Sequence, residues 1–186
     1  MDDQPFCGGT LISPTRVLTA AHCVVKETPA LVRVGQLTQV DGEVIGVDCV
    51  SIHPDYESGS TIPCFFGKSC ELWSDIAIIK LSQPAKNVTS FVRLNNSTTY
   101  PSKAGQELTV VGFGFSNAFI GVLDYVLYNL LGSRVVHKPF NLQKLTTMFV
   151  PEESCQKKWT CTSSQYHTCA SVKDNGICIG MISFEC

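Results

Sequence analysis

Two side chains in this sequence have surroundings suited to moving a proton. His22 closes the run Val17-Leu18-Thr19-Ala20-Ala21-His22 and is followed at once by Cys23. An imidazole takes up and returns a proton near neutral pH, which suits it to general acid–base work. Asp75 opens Asp75-Ile76-Ala77-Ile78-Ile79-Lys80-Leu81, a strongly apolar stretch of strand formers. A carboxylate there is expensive to bury unless it is paired, and an imidazole N–H is its natural partner. Taken singly, each has a plainer reading. His22 could be a hydrogen-bonded histidine beside a structural disulfide, and Asp75 could cap the turn before a strand.

The elements that must position these residues are β. Thr10 to Ile12 and Val17 to Ala20 flank Ser13-Pro14-Thr15-Arg16, which predicts a hairpin with Cys7 and Cys23 at its outer ends. A Cys7–Cys23 disulfide could tie that hairpin and fix the position of His22. From Ala30 to Ile52, β-formers alternate with glycine, and Asp41-Gly42 marks a hairpin turn. Residues 57–73 form a longer excursion in which Cys64 and Cys70 could close the loop locally.

The string Phe6-Cys7-Gly8-Gly9-Thr10 through Thr19-Ala20-Ala21-His22-Cys23-Val24 resembles the block around the catalytic histidine of the chymotrypsin/trypsin family of serine endopeptidases. Asp75 to Leu81 is similar to that family's Asp-Ile-Ala-Leu-x-x-Leu, and His53-Pro54-Asp55-Tyr56 to the His-Pro-x-Tyr that precedes it, so His53 reads as a loop residue rather than a second base. Val110-Val111-Gly112-Phe113-Gly114 resembles Val-x-Gly-Trp-Gly, with Phe113 in place of Trp. The likeness resumes over Leu142 to Thr146 and Glu153-Ser154-Cys155, and His167-Thr168-Cys169-Ala170-Ser171 is similar to Met-Ile-Cys-Ala-Gly, which implies a Cys155–Cys169 disulfide.

The resemblance implies an all-β, chymotrypsin-like double β-barrel of six strands each, the first nearly whole and the second incomplete, in one domain over 1–186. It implies peptide or protein substrates, His22 as general base and Asp75 as its orienting partner. No cofactor is implied.

Departures from the family pattern are as specific as the matches. Residues 117–140 are dense in Val, Leu, Ile, Tyr and Phe where the family has a polar loop. Either this is a partner-binding segment or it is translated sequence foreign to a mature product, and the chain's other departures favour the second. Asn175-Gly176-Ile177-Cys178-Ile179-Gly180 approaches the nucleophile motif, but Met181-Ile182-Ser183-Phe184-Glu185-Cys186 stands where Asp-Ser-Gly-Gly-Pro would follow. Ser183 lacks the flanking glycines that let a backbone approach a tetrahedral intermediate. The expectation is an incomplete or mis-spliced product, inactive as written. The alternative is a non-catalytic secreted homologue that binds or inhibits a partner enzyme. Gly176 would fall near the base of the specificity pocket and favour apolar or small side chains, although Asp174 lies close enough to reverse that preference. Cys178 is left to pair with Cys186, Cys49 or Cys161, or with nothing.

Composition limits the rest. A chain of 186 residues, 44% hydrophobic with net charge −2, can build a sizeable core and has no charge bias towards nucleic acid or an anionic membrane. Ten cysteines without a paired C-x-x-C read as disulfides of an oxidising compartment. The triplets Asn87-Val88-Thr89, Asn95-Asn96-Ser97 and Asn96-Ser97-Thr98 are glycosylation acceptors, consistent with a secreted protein. Met1-Asp2-Asp3-Gln4-Pro5 has no signal-peptide character, and no run approaches a membrane span. His22, His53, His137 and His167 show no ligand spacing, so no metal is expected.

Overall fold

The computed structural model describes residues 7–58, 72–97, 101, 103–114, 139–157 and 168–171. Ten strands run through them: β1 (Thr10–Ser13), β2 (Arg16–Thr19), β3 (Leu31–Val34), β4 (Glu43–Ile52), β5 (Glu57–Ser58), β6 (Leu72–Trp73), β7 (Ala77–Leu81), β8 (Glu107–Gly112), β9 (Gln143–Val150) and β10 (Cys169–Ser171). A 3-10 turn at Ala21–Cys23 and helix α1 (Glu152–Gln156) complete the described elements. The strands make a five-stranded sheet in the order β1-β2-β7-β4-β3, a three-stranded sheet β10-β9-β8, and the ribbon β5-β6. All pairs are antiparallel. Five and three described strands stand against the six per barrel that the family resemblance implies.

Strand β7 organises the first sheet because its side chains alternate. Ala77, Ile79 and Leu81 are buried while Lys80 is exposed, the two-residue period of a sheet with one covered face. They pack with Val17, Ala21, Val24, Ile45 and Ala85 into one apolar cluster. Lys80 on the other face pairs with Asp48 at 2.6 Å.

The β1–β2 hairpin is tighter than the sequence suggests. Ser13 pairs with Arg16, so the turn is Pro14-Thr15 alone. Both turn carbonyls are used, Thr15 accepting from the N–H of Leu81 and Pro14 from that of Ala85, each at 2.9 Å. Gly9 is required just before β1, since a Cβ there would stand 2.6 Å from Cγ1 of Val17.

Asp41-Gly42 lies at a chain reversal, but not in a two-residue turn. Val34 pairs with Glu43, which makes 35–42 a longer loop with Gly42 at its end (φ 91°). A Cβ on Gly42 would meet the carbonyl oxygen of Val34 at 2.6 Å. The Asp41 carboxylate accepts the N–H groups of Leu37 and Thr38 at 3.0 and 2.8 Å, and the Thr38 amide above all holds its pKa below the ordinary value.

This loop is sewn to the chain leading into the second sheet. Thr38 bridges Asn141, Gln39 N–H donates to Phe140 O (2.9 Å), and Leu142 N–H donates to Leu37 O (2.8 Å). Gln39 Nε2 adds a fourth link to Pro139 O at 2.9 Å. In the second sheet Thr147 is fully buried and donates to Leu108 O at 3.4 Å. A Cys155–Cys169 disulfide fastens α1 to β10.

Cys64, Cys70, Gly176, Cys178, residues 181–186 and all of the apolar stretch 117–140 except its last two residues lie outside the described residues. The ribbon β5-β6 joins the two ends of the excursion that holds Cys64 and Cys70.

Candidate active site

The register of two strands brings His22 and Asp75 together. β2 and β7 run antiparallel with Thr19 opposite Ala77, so the residues following β2 and those preceding β7 emerge at the same edge of the sheet. His22 lies on the 3-10 turn just past β2, and Asp75 just ahead of β7. The turn is held from below by Ala21, which is fully buried and whose carbonyl accepts from the N–H groups of Val24 and Val25 at 3.0 Å. A Cys7–Cys23 disulfide, Cα–Cα 6.1 Å, ties its other side to the start of the hairpin.

Asp75 is gripped at both oxygens. The backbone N–H of His22 donates to Oδ1 at 2.8 Å, and His22 Nδ1 lies 2.7 Å from Oδ2. An ionised carboxylate only accepts, so the imidazole carries its proton on Nδ1 in this pair. Partial burial pushes the Asp75 pKa up. The hydrogen bond from the His22 ring, that from its backbone, the charge of His22 and the N–H of Ala21 outweigh it, and the carboxyl titrates below its ordinary range. The His22 side chain is 39% exposed and that of Asp75 13%, so the carboxylate is sheltered while the imidazole faces outward.

The backbone beside Asp75 is unusual. Ser74 adopts φ 53°, the left-handed region that non-glycine residues rarely enter, and its carbonyl accepts the Ile76 N–H at 2.7 Å. This tight reversal points Asp75 at the 3-10 turn. Nothing in the residue types around Ser74 signals it.

His53 is exposed in the loop after β4, where its ring Nδ1 accepts the Asp55 N–H at 3.2 Å and its backbone N–H donates to Ile76 O at 3.0 Å. It buttresses the Asp75 segment from a distance. Tyr56, packed against the core cluster, has its hydroxyl pKa raised by burial and then by the Asp75 charge.

His22 Nε2 faces Cys23 Sγ at 3.5 Å. Cys7, His22 and Cys23 are the one group among the described residues whose ligand atoms cluster closely enough to hold a metal, within 4.8 Å of one another. Cys7 and Cys23 are bonded to each other, so their sulfurs are not thiolate ligands.

Comparison with known proteins identifies the fold and the family. The chain is 27% identical over 181 residues to a trypsin of Saccharopolyspora erythraea, covering 95% of this chain and 66% of that protein. It is 26% identical over 184 residues to mouse serine protease 28, covering 94% of this chain and 57% of that protein. It is 34% identical to mouse vitamin K-dependent protein C over 119 residues, 60% of this chain and 24% of the other. The chain thus spans about two thirds or less of the length of these relatives. Among solved structures, neuropsin, a serine protease of mouse brain, superposes with a TM-score of 0.69 at 22% identity, covering 98% of this chain and 76% of that one, which places the curled sheets in the chymotrypsin-like fold. The trypsin family description matches residues 1–181, and on that match, with the His22 and Asp75 blocks inside it, this chain belongs to the trypsin family of serine proteases.

Proposed function

We propose that His22 and Asp75 are the general base and its orienting partner of a serine endopeptidase acting on peptide or protein substrates. The observation that carries this reading is the 2.7 Å contact between His22 Nδ1 and Asp75 Oδ2. With the proton held on Nδ1, the lone pair on Nε2 can accept the proton of a serine hydroxyl as that oxygen attacks a carbonyl, and later pass it to the leaving amine. Asp75 fixes the ring and stabilises the imidazolium that forms.

The nucleophile half of the machinery is a separate matter. The 186 residues include no Asp-Ser-Gly-Gly-Pro, and Ser183 sits in Ile182-Ser183-Phe184 without glycine neighbours. A polypeptide of these residues alone is therefore expected to hydrolyse peptides negligibly, because both the covalent route and the oxyanion site depend on that motif. Gly176 at the base of the specificity pocket belongs to the same proposal, with apolar or small side chains preferred. Disulfides at Cys7–Cys23 and Cys155–Cys169, and exposed Asn87, Asn95 and Asn96, support an extracellular, glycosylated protein. No helix among the described residues is long and apolar enough to cross a membrane.

Two measurements test this. A fluorophosphonate probe is expected to leave the purified chain unlabelled, and labelling at any serine would refute the inactivity. Proton NMR is expected to show a low-field His22 Nδ1–H resonance that vanishes in Asp75→Asn. A resonance unchanged in that variant would refute the pairing.

A second reading, a non-catalytic homologue that binds another enzyme, is favoured by Leu37, Val40 and Phe140, exposed by 70%, 68% and 55% around the junction of the two sheets. It requires a cooperative thermal transition in the isolated chain. Aggregation in place of that transition would rule it out.

A further inference from the structure

We propose that His53 is a positioning residue for Asp75 that acts through the protonation state of its ring. The neutral imidazole, with its proton on Nε2, closes the turn that anchors the segment carrying Asp75, and a second proton releases that closure. The role in proton transfer rests on the proposed pairing of His22 with Asp75, whereas the geometry of the turn stands without it.

Residues 53–56 form a β-turn in which the Tyr56 N–H donates to His53 O at 3.0 Å, with Pro54 and Asp55 at its centre. Proline suits the second position of such a turn because its φ is already set. The His53 ring adds a second closure, since the Asp55 N–H donates to Nδ1 at 3.2 Å. A backbone N–H only donates, so Nδ1 is unprotonated and the neutral ring keeps its proton on Nε2. His22 shows the opposite tautomer, with its Nδ1 proton directed at Asp75. The His53 contact copies the bond by which asparagine or aspartate holds the amide two residues on, with the difference that one proton switches this acceptor off.

The turn reaches Asp75 from both of its ends. His53 N–H donates to Ile76 O at 3.0 Å, which carries the β4–β7 pairing one step past Ile52 and Ala77. Ile76 N–H donates to Ser74 O at 2.7 Å, so the residues on either side of Asp75 are tied together and then to His53. Tyr56 packs against the core cluster, and its hydroxyl feels the Asp75 charge. His53 is exposed, so its ring exchanges protons with solvent. Protonation places N–H groups on both ring nitrogens, which sets Nδ1 donor to donor against the Asp55 amide and breaks the bond. The charged groups of the adjoining elements are Asp55 in the turn, Glu57 at the head of β5 and Asp75 ahead of β7; Lys80, the cation of β7, lies opposite Cys49 at the other end of the pairing and is held by Asp48. His22 and Tyr56 are the remaining titrating groups beside Asp75.

The test is NMR of the whole 186-residue chain, with amide exchange expressed as protection relative to an unstructured amide at each pH. Ring nitrogen shifts of neutral His53 are expected to place the proton on Nε2. As His53 becomes protonated, followed by its own ring-carbon protons, protection at Asp55 is expected to fall about two- to tenfold, the worth of one hydrogen bond, and protection at Ile76 to fall with it. His53→Asn, whose side chain can hold the same amide, is expected to keep both protected across the titration. His53→Ala is expected to show, throughout, the low protection that the parent reaches only in acid. A neutral ring protonated on Nδ1 overturns the proposal, as does an Ile76 amide that stays unmoved while Asp55 opens. So does a step in protection that persists in His53→Asn and follows His22. The low-field His22 Nδ1–H resonance separates the two readings: its absence from the parent would remove the catalytic pairing, while the Asp55 and Ile76 amides still decide what the His53 ring does.

Discussion

Asp75 holds its place through ionisation, because both hydrogen bonds from His22 end on a carboxylate. Its folded-state pKa is depressed, so the stabilisation it contributes is complete above the unfolded value of about 3.9 and is lost as pH falls through the lower folded value. Asp75→Asn is expected to cost about 2 kcal/mol at neutral pH, the scale of a hydrogen bond to a charged group. Urea midpoints of the two proteins are expected to start drawing together as pH falls below about 4, the unfolded value, and to meet only below the lower folded value. Ser74, at φ 53°, is the strained neighbour. Ser74→Asn is expected to raise the melting temperature, asparagine tolerating this region best after glycine, and Ser74→Val to lower it by about 1–2 kcal/mol equivalent. The His22–Asp75 encounter was legible in the sequence because a charge at the head of an apolar strand demands a partner. Ser74 was not legible, since its conformation follows from the grip on the next residue and not from its own type.

Strands β2 and β7 determine whether that encounter occurs at all, as β2 ends just before the turn that carries His22 and β7 begins just after Asp75. Ile79→Ala, at a position 5% exposed in the central strand, is expected to cost about 2–5 kcal/mol, and Ile78→Ala on the opposite face distinctly less. Chemical denaturation of the two variants side by side checks the alternation. Cys7→Ser/Cys23→Ser, opening a bridge of sequence separation 16, is expected to cost about 3 kcal/mol in the oxidised protein by the same measurement. The hairpin and the alternation of β7 were readable from short-range patterning. Loop 35–42 was not, because Asp-Gly serves a tight turn and the end of a longer loop equally well. What decides between them is Asn141, more than a hundred positions away, whose pairing with Thr38 is invisible to any local window.

At the scale of the molecule, the described residues hold two disulfides, two sheets and a ribbon, distributed over blocks that the family match covers from 1 to 181. The family blocks were readable because each carries an uncommon residue in a fixed setting: His22 beside Cys23, Asp75 before its apolar strand, Cys155 and Cys169. The stretch 117–140 was not interpretable in that way, since apolar content alone says nothing of what it packs against. Its described end, Pro139-Phe140, supplies two carbonyls to Gln39. Expressed through a secretory route, the chain is expected to lose mass on enzymatic removal of N-glycans, with Asn87→Gln reducing that loss. An unchanged mass would remove support for secretion.

The link between Gln39 and Pro139 spans 100 positions, so it closes a far larger ring of chain than the hairpins on either side of it. Rings of that size are entropically slow to close, and contacts that need them form after local ones. Pulse-labelled hydrogen exchange during refolding is expected to protect the amides of β1 and β2 first and those of Gln39 and Leu142 last, leaving a transient species with two formed halves not yet joined.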